Sequence, residues 1–266
     1  MNIQQYNPNF CANFNSSKLK FNRDDFFVRI RGYGKNNDWS DEVIKTADVA
    51  VNLFRKDTSP EMILKYIAIG IRKANMLCMD LSKRAQSGIL RAFYREGWGA
   101  GKECELTTSY RNNRYSSYEK RLDAVAKKPL YSSYAMNYSR PHIEEGKKQI
   151  VHASCDYVNK TLDYIMILCK KLFPKYIKND IKPENMKEFN DTVAEIRWQL
   201  AHSTPFVRGS DAISNTLMRV IYKSAGIKSY PLKKGVSLDL EAFCTNLEEY
   251  KAKFTDFFIK KPQIIE

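Results

Sequence analysis

Apolar residues recur at helical spacing through most of this chain, and this feature constrains the fold more than any other. In the stretch TSPEMILKYIAIGIRKAN, Ile63, Ile67 and Ile71 lie four residues apart, so they share one face of a helix. Ser59 and Pro60 suit the start of that helix. Comparable patterns predict further helices over residues 40–54, 81–96, 119–127, 143–172 and 184–201, up to residue 226, and from residue 238 onwards. The sequence therefore predicts a mainly α, multi-helix globular domain.

The N-terminal region departs from this pattern. Residues 1–25 are polar and rich in Asn, and in FFVRIRGYG the apolar Val28 and Ile30 alternate with arginines, as in a short strand. We expect an irregular arm with a short strand over residues 1–38, which is at most a small β element near the N-terminus. A single helical domain should follow over residues 39–266, with an exposed loop region rich in Tyr, Arg and Ser at 106–141.

The charge balance favours an acidic partner. The chain has 44 Lys and Arg residues against 30 Asp and Glu residues, a formal net charge of +14. Such an excess suits a nucleotide, a nucleic acid, an anionic membrane face or an acidic protein, although lysines kept for solubility give the same count. No RNA- or DNA-binding motif accompanies the charge, so the sequence does not favour nucleic acid as the partner.

Cysteine usage and hydropathy bear on the compartment. Six cysteines are scattered without a Cys-x-x-Cys pair, which is typical of reduced cysteines in a reducing compartment. No stretch is long and apolar enough to form a transmembrane segment, and the Asn-rich start lacks the basic and apolar regions of a Sec signal peptide. We therefore expect a cytoplasmic protein, or one exported without a Sec signal.

The glycine-rich stretch GWGAGKE, residues 97–103, invites comparison with a phosphate-binding loop. Its spacing argues against that function, because Glu96 stands where the first Gly of a P-loop belongs and Glu103 follows Lys102. A turn between helices is the better interpretation.

The few histidines give a second candidate site. His152 and Asp156 lie four residues apart in the predicted helix 143–172, where the carboxylate could orient the imidazole for acid or base catalysis. A surface His-Asp pair is the alternative. The His-x-x-x-Asp spacing resembles the His-x-x-x-Glu of a group of bacterial effector AMP-transferases. His142 with Glu144 and Glu145 suits a helix start, so we predict no metal site.

The stretch HSTPFVRGSD, residues 202–211, follows the amphipathic helix AEIRWQLAHS and leads into another helix. Arg208, Gly209 and Ser210 predict a turn between the two. The N–H groups of a helix start point outward and Arg208 adds a charged donor, so a phosphate or pyrophosphate would fit there. The alternative is that Ser210 only caps the helix.

The same stretch resembles the motif of the Fic family, part of the Fic/Doc/AvrB (Fido) superfamily of AMP- and phosphoryl-transferases. That motif reads His-Pro-Phe-x-[Asp/Glu]-Gly-Asn-[Gly/Lys]-Arg before a helix. Pro205 and Phe206 stand at the Pro-Phe pair and Gly209 at the Gly of the anion loop. Leu217 and Met218 stand at a Leu-Met pair of the following helix.

The departures from the motif shape what the resemblance implies. Thr204 occupies the position of the catalytic His, Arg208 replaces the acidic metal ligand, and His202 lies two residues early. A threonine cannot accept a proton as an imidazole does, so the usual Fic base is missing. The candidate catalytic residues are His202, Asp211, His152 and Asp156, and the candidate nucleotide- and phosphate-binding residues are Thr204, Arg208, Gly209 and Ser210.

The resemblance implies a divergent bacterial effector or toxin. Such a protein would bind ATP or another nucleotide and transfer AMP, or a related phosphoryl-containing group, onto a target protein. The target could belong to a host cell into which the effector is delivered. Magnesium would accompany the nucleotide, although the sequence offers no clear ligand for it. The alternatives are a non-catalytic interaction protein that binds an acidic partner through its basic surface, and a nucleic-acid-binding module.

Overall fold

A computed structural model describes residues 19–30, 35–78, 86–92, 106–111, 115–130, 138–178 and 181–265. Helices dominate these segments, as the sequence predicts, and strands are few and short. The helices are α1 (Asn37–Arg55), α2 (Pro60–Met76), α3 (Glu119–Lys127), α4 (Cys155–Leu172), α5 (Met186–Ser203), α6 (Ser210–Ser224), α7 (Leu238–Phe243) and α8 (Leu247–Lys253).

Helix α6 lies at the centre of the core. Its residues from 213 to 222 are all buried, so every face of this part of the helix packs against other parts of the protein. Helices α1, α2 and α5 each pack against it, and α2 also packs along α1. The buried stripe Ile63, Ile67 and Ile71 of α2 belongs to this core, as the helical spacing predicts. The loop that precedes α6 is therefore anchored in the packed core of the molecule.

The strands form two small antiparallel sheets. The first has the order β1 (Thr107–Ser109), β3 (Lys147–Val151), β2 (Arg140–Glu144), with Thr107 opposite Val151 and Arg140 opposite the same residue. The second pairs β4 (Ile227–Lys228) with β5 (Gln263–Ile264). These strands lie from residue 107 onwards and not near the N-terminus, where the described residues 19–30 contain a 3-10 turn at Arg23–Asp25 and no strand.

The predicted helix 143–172 is wrong in its first third. Residues 140–151 form the β2–β3 hairpin, and α4 begins only at Cys155. Glu145 and Gly146 both have positive φ angles, 47° and 75°, which is the geometry of a two-residue hairpin turn. His152 therefore lies beyond the end of a strand, and the premise that it shares a helical face with Asp156 fails.

Two other predicted helices need correction. In the predicted helix 81–96, the described residues 86–92 form bridges to residues 206–208, and the remainder lies outside the described residues. The stretch GWGAGKE also lies outside them. The last predicted helix is divided into α7, α8 and a 3-10 turn at Phe254–Phe257 because Asn246 begins a new helix, its side chain accepting a hydrogen bond from the Glu249 amide.

The cysteines only partly follow the expectation of a reduced chain. Cys78, Cys169 and Cys244 are free, but Cys155 is disulfide-bonded. Within the segments that the structure describes, none of the helices combines the length and the apolar character that crossing a membrane requires.

Candidate functional site

The candidate site is the 204–209 loop, which joins α5 to α6. The segment 86–92 pairs with this loop through backbone hydrogen bonds. The Gly88 amide donates to the Arg208 carbonyl (3.0 Å), and the Arg91 amide donates to the Pro205 carbonyl (2.9 Å). The Val207 amide donates in turn to the Ile89 carbonyl (2.9 Å). The loop is thus held as firmly as a strand, although no strand pattern marks it in the sequence.

A buried arginine strengthens this attachment. The Arg91 side chain has no exposed surface and donates to the carbonyl oxygens of Ser203 and Thr204, each at 3.2 Å. It also donates to the Ala153 carbonyl at 2.6 Å. Arg91 therefore joins the end of α5 to the segment between β3 and α4, and it fixes the position at which the loop begins.

Thr204 has a backbone conformation that is rare for its residue type. Its φ and ψ angles are 42° and 62°, the left-handed region, which a β-branched residue adopts only under constraint. Its hydroxyl donates to the Ala201 carbonyl (2.8 Å) and lies 3.0 Å from Nδ1 of His152. The structure thus brings together two residues that the sequence places on separate candidate sites.

His152 is surrounded by hydroxyl groups. The Ser139 hydroxyl donates to the His202 carbonyl (2.6 Å) and also lies 3.0 Å from Nδ1 of His152, while the Thr108 hydroxyl lies 2.9 Å from Nε2. Because the Ser139 and Thr204 protons are directed at carbonyls, this pattern assigns the ring proton to Nδ1 and makes Nε2 an acceptor. The imidazole is in its neutral form.

The charge of His152 is suppressed by its surroundings. Burial, followed by the nearby Arg91 guanidinium and His202, lowers the pKa of His152 to about 3. A general base works best when its pKa lies near the working pH, so this ring is poorly suited to take a proton from a substrate. The position of the His152 ring, with Nδ1 3.0 Å from the Thr204 hydroxyl, suits it to orient that hydroxyl.

His202 is a core residue. It is 1% exposed, and its Nδ1 and Nε2 atoms lie 3.0 Å from the Ser139 carbonyl and 3.1 Å from the Ala242 carbonyl. Burial lowers the pKa of His202 to about 4, although both carbonyls oppose that shift. The ring centroid lies 4.0 Å from that of Trp198. This placement favours a structural role.

Helix α6 begins without the cap that its sequence suggests. Gly209, at φ 85°, is the cap residue, and no side chain makes a cap hydrogen bond there. The Ser210 hydroxyl instead accepts from the Phe206 amide and donates to the Phe206 carbonyl, both at 3.0 Å. The idea that Ser210 caps α6 is therefore wrong. No described hydrogen bond uses the amides of the first turn, at residues 210–212.

Asp211 lies in this first turn and belongs to a charged cluster. Its Oδ1 accepts hydrogen bonds from the guanidinium of Arg197 and from the side-chain amide of Asn215, the latter at 3.2 Å. Arg197 has no exposed surface and also donates to Asp239 at 2.6 Å. Burial, then the neighbouring Asp239 carboxylate, raises the pKa of Asp211, against the opposing effect of Arg197. The Asp211 side chain stays 21% exposed.

Arg208 is exposed beside this helix start. Its Nε donates to the Gln86 side chain at 2.9 Å, a bond that holds the side chain against the 86–92 segment. The loop therefore offers one exposed guanidinium, the first-turn amides of α6 and one partly exposed carboxyl within a few residues.

The residues around the loop do not fit a divalent metal ion. Arg208 places a positive charge where the resembled motif has its acidic ligand, and the Oδ1 atom of Asp211 is already bound by Arg197. In the described segments no group of three or more His, Cys, Asp or Glu side chains could hold a metal ion.

The structure separates the predicted site residues into three groups. Thr204, Arg208, Gly209, Ser210 and Asp211 lie on or next to the loop, His152 and His202 lie behind it, and Asp156 is exposed in the first turn of α4. Sequence reasoning missed Arg91, Ser139 and Thr108, which carry no pattern of their own. It also missed Arg197, which lies on the apolar face of α5, four residues from Val193 and four from Ala201. A charge in that position indicates a buried ionic group, and the sequence alone could have shown it.

The loop and the start of α6 form the candidate site of a mainly α protein, and comparison with known families gives the class of the protein. Residues 106–261, more than half of the chain and including the whole loop, match the AvrB_AvrC family of avirulence proteins. The chain belongs to this family, and it is therefore a bacterial effector. No curated protein matches the chain. Membership of an effector family suggests a target protein in the host and implies delivery into host cells.

Proposed function

We propose that this effector transfers AMP, or a related phosphoryl-containing group, from ATP or another nucleotide onto a target protein of the host. One observation carries the proposal: an exposed arginine, uncapped first-turn amides and a carboxyl of raised pKa converge at the start of α6. The resemblance of residues 204–218 to the Fic motif supports the same class of reaction.

The phosphate-binding part of the proposal rests on α6. Its first-turn amides and the positive end of the helix dipole favour an anion, and Arg208 can donate two hydrogen bonds to phosphate oxygens. In the resembled motif an acidic residue at this position binds phosphate through a metal ion. Arg208 would bind the phosphate directly, so the charge reversal would replace a metal-mediated contact with a direct one to the same group.

The proton-transfer part rests on Asp211. Both described hydrogen bonds to its carboxylate go to Oδ1, and a raised pKa brings the group closer to the range in which a base is effective. In the proposed step, a hydroxyl oxygen of the target attacks the α-phosphorus and the bond to pyrophosphate breaks. Pyrophosphate leaves with the electron pair, and Oδ2 of Asp211 takes the hydroxyl proton. His152 and Thr204 position the loop.

The test uses purified protein, ATP labelled at the α-phosphate and a eukaryotic cell lysate, with protein-linked label read on a denaturing gel. Arg208→Ala should weaken ATP binding by about 1.5–3 kcal/mol, because a charge-assisted hydrogen bond is lost. Asp211→Asn should abolish labelling and leave ATP-induced thermal stabilisation largely intact. Arg23→Ala is the matched control, since Arg23 is also an exposed arginine bonded to a side chain, Asp41.

Two results would count against transfer. If the wild-type protein gives no label and ATP does not raise its melting temperature, nucleotide transfer from ATP is abandoned. If Arg208→Ala labels as well as Arg23→Ala, the loop is not the nucleotide site.

A second candidate function is a non-catalytic interaction protein that binds an acidic partner. The net charge of +14 favours it, and so does an exposed apolar helix face that carries cations. A nucleic-acid-binding module remains the third expectation, and salt-sensitive binding to unrelated nucleic acids would support it.

A further inference from the structure

The outward side of α2 exposes a row of large apolar side chains. Met62 is 58% exposed, Ile69 54%, Met76 54% and Leu77 55%, with Tyr66 at 37% between the first two. Lys73 is exposed in the same row, between Ile69 and Met76, and Arg72 is exposed at its edge. We name this surface the α2 face, consisting of Met62, Tyr66, Ile69, Arg72, Lys73, Met76 and Leu77.

This exposure is unusual for a helix that is already packed. The opposite side of α2 places Ile63, Ile67 and Ile71 in the core with no exposed surface. A helix that is apolar on two sides is typical of a fully enclosed position, and contiguous exposed apolar residues mark interaction sites. From residue 62 to residue 77 the face is about 22 Å long, enough for four turns of a partner helix.

The charges on the face select the kind of partner. Lys73 is 70% exposed and lies 3.6 Å from Glu42, a separation that leaves it available to a better-placed carboxylate. Lys65 lies beside the row, and the whole chain carries +14. A second copy of the chain would bring like charges together, which disfavours self-association through this surface.

The position of the cations also bears on a lipid surface. Helices that lie on membranes keep their cations at the margins of the apolar side, where these can reach the headgroups. Here Lys73 interrupts the apolar row itself, whereas Arg72 lies at its edge. Two carboxylates in the matching turn of a partner helix would pair with them, and the apolar residues on either side would exclude water from those pairs.

We propose that the α2 face docks an acidic amphipathic helix of the target protein. The partner would place apolar residues against Met62, Ile69 and Met76, at positions i, i+3, i+4 and i+7, and carboxylates against the two cations. This inference goes beyond the proposed transfer and does not depend on it, since docking requires no nucleotide.

The candidate site contacts the buried side of α2, opposite the α2 face. There Gly88 lies against the Ala68 carbonyl, and Gly209 lies against Ile71 and Asn75. A helix docked on the α2 face would therefore be separated from the 204–209 loop by the width of α2. Docking would still raise the local concentration of the target at this protein.

The test measures binding of two fluorescent helical peptides of about 18 residues, a length at which such helices can form. Both peptides carry leucines at i, i+3, i+4 and i+7, and the remaining positions are mostly Glu in one and mostly Lys in the other. Fluorescence anisotropy is read with the full chain in the absence of nucleotide. We expect the acidic peptide to bind at least about tenfold more tightly than the basic one.

Variants locate the binding. Ile69→Glu should weaken binding of the acidic peptide about tenfold or more, whereas Ile259→Glu should leave it within about twofold. Ile259 is the matched control, because it is the same residue type with 51% exposure on another part of the surface. The double variant Arg72→Glu/Lys73→Glu should reverse the preference, so that the basic peptide binds better.

Three outcomes would overturn the proposal. Equal affinity for both peptides would contradict selection by charge. An equal loss of acidic-peptide affinity in Ile69→Glu and Ile259→Glu would show that the peptide does not bind at the α2 face. Flotation with vesicles of phosphatidylcholine and phosphatidylserine, lost in Ile69→Glu while neither peptide binds, would assign the face to a lipid surface. Failure of nucleotide transfer would not affect any of these results.

Discussion

At the scale of single residues, Arg197 decides whether the start of α6 is stable. It lies without exposed surface between the carboxylates of Asp211 and Asp239, and its Nε also donates to Asn215 at 3.2 Å. Burial, and then the neighbouring Asp239 carboxylate, outweigh the Arg197 cation, which is why the pKa of Asp211 is raised and not lowered. The arginine needed for folding and the carboxyl proposed for catalysis are thus one electrostatic unit.

Replacing Arg197 by Met should cost about 3–5 kcal/mol of unfolding free energy, because two partly buried carboxylates lose their cation. Urea unfolding measures the loss, and Arg23→Ala, at an exposed ion pair, should cost less than about 1 kcal/mol. The variant Arg197→Met/Asp211→Asn/Asp239→Asn should recover part of the stability. A loss for Arg197→Met no larger than for Arg23→Ala would show that the cluster is not an electrostatic unit.

At the scale of elements, long periodic segments were predictable and short contacts between distant segments were not. Helices α2, α5 and α6 lie close to where apolar spacing predicts them, because one buried stripe decides each. The β2–β3 hairpin was missed because Glu144 and Glu145 read as acidic residues of a helix start, whereas Glu145 and Gly146 form a two-residue turn. In the candidate site, the match of Gly209 to the motif and the charge reversal at Arg208 could be identified from the sequence. Arg91 and Ser139 could not, since their roles depend on pairing with segments far away in sequence.

Gly88 tests how the 86–92 segment supports the loop. Its φ is 68°, and a Cβ atom there would lie 2.5 Å from the Ala68 carbonyl oxygen of α2. Gly226 is the matched control, with φ 72° and no atom within 4 Å of its Cβ position. Gly226→Ala should cost about 1–2 kcal/mol through its backbone angle alone.

Gly88→Ala should add a further cost of about 1–3 kcal/mol, because the segment must move away from α2. Urea unfolding measures both variants, and Gly88→Ala should also reduce ATP-induced stabilisation. Equal costs for the two glycines would mean that the contact with α2 does not hold the segment in place.

At the scale of the whole molecule, two histidines of lowered pKa tie distant parts together and make stability depend on pH. His152 joins β1, the Ser139 segment and the loop, and His202 joins α5 to α7. The pKa values of both are lowered, to about 3 and about 4. In the unfolded chain each histidine binds a proton at a higher pH than in the folded chain. Their contribution to stability is therefore complete above about pH 6.5 and is lost as the pH falls towards 4.

Thermal unfolding between pH 7 and pH 4 should show this loss, at about 1.4 kcal/mol for each unit by which a histidine pKa is lowered. Asp211, whose pKa is raised, acts in the opposite sense, so the slopes of variants are compared with the wild type. His152→Gln should flatten the slope. His142→Gln is the comparison variant, because the His142 side chain is 46% exposed and lies 3.6 Å from Glu144 on the surface. Identical slopes for both variants would contradict the assignment.

The bonds that close the loop join residues far apart in the chain: Arg91 and Ser203 are separated by 112 positions. Contacts of such long range form late in folding, because the entropy of closing a large loop must be overcome first. An excised 106–261 segment would lack Arg91 and the 86–92 segment, so it would keep the part of the chain that matches the family without the support that shapes the loop. Amide exchange at Val207 should accordingly follow global unfolding, and the candidate site would take shape only when the entire fold has closed.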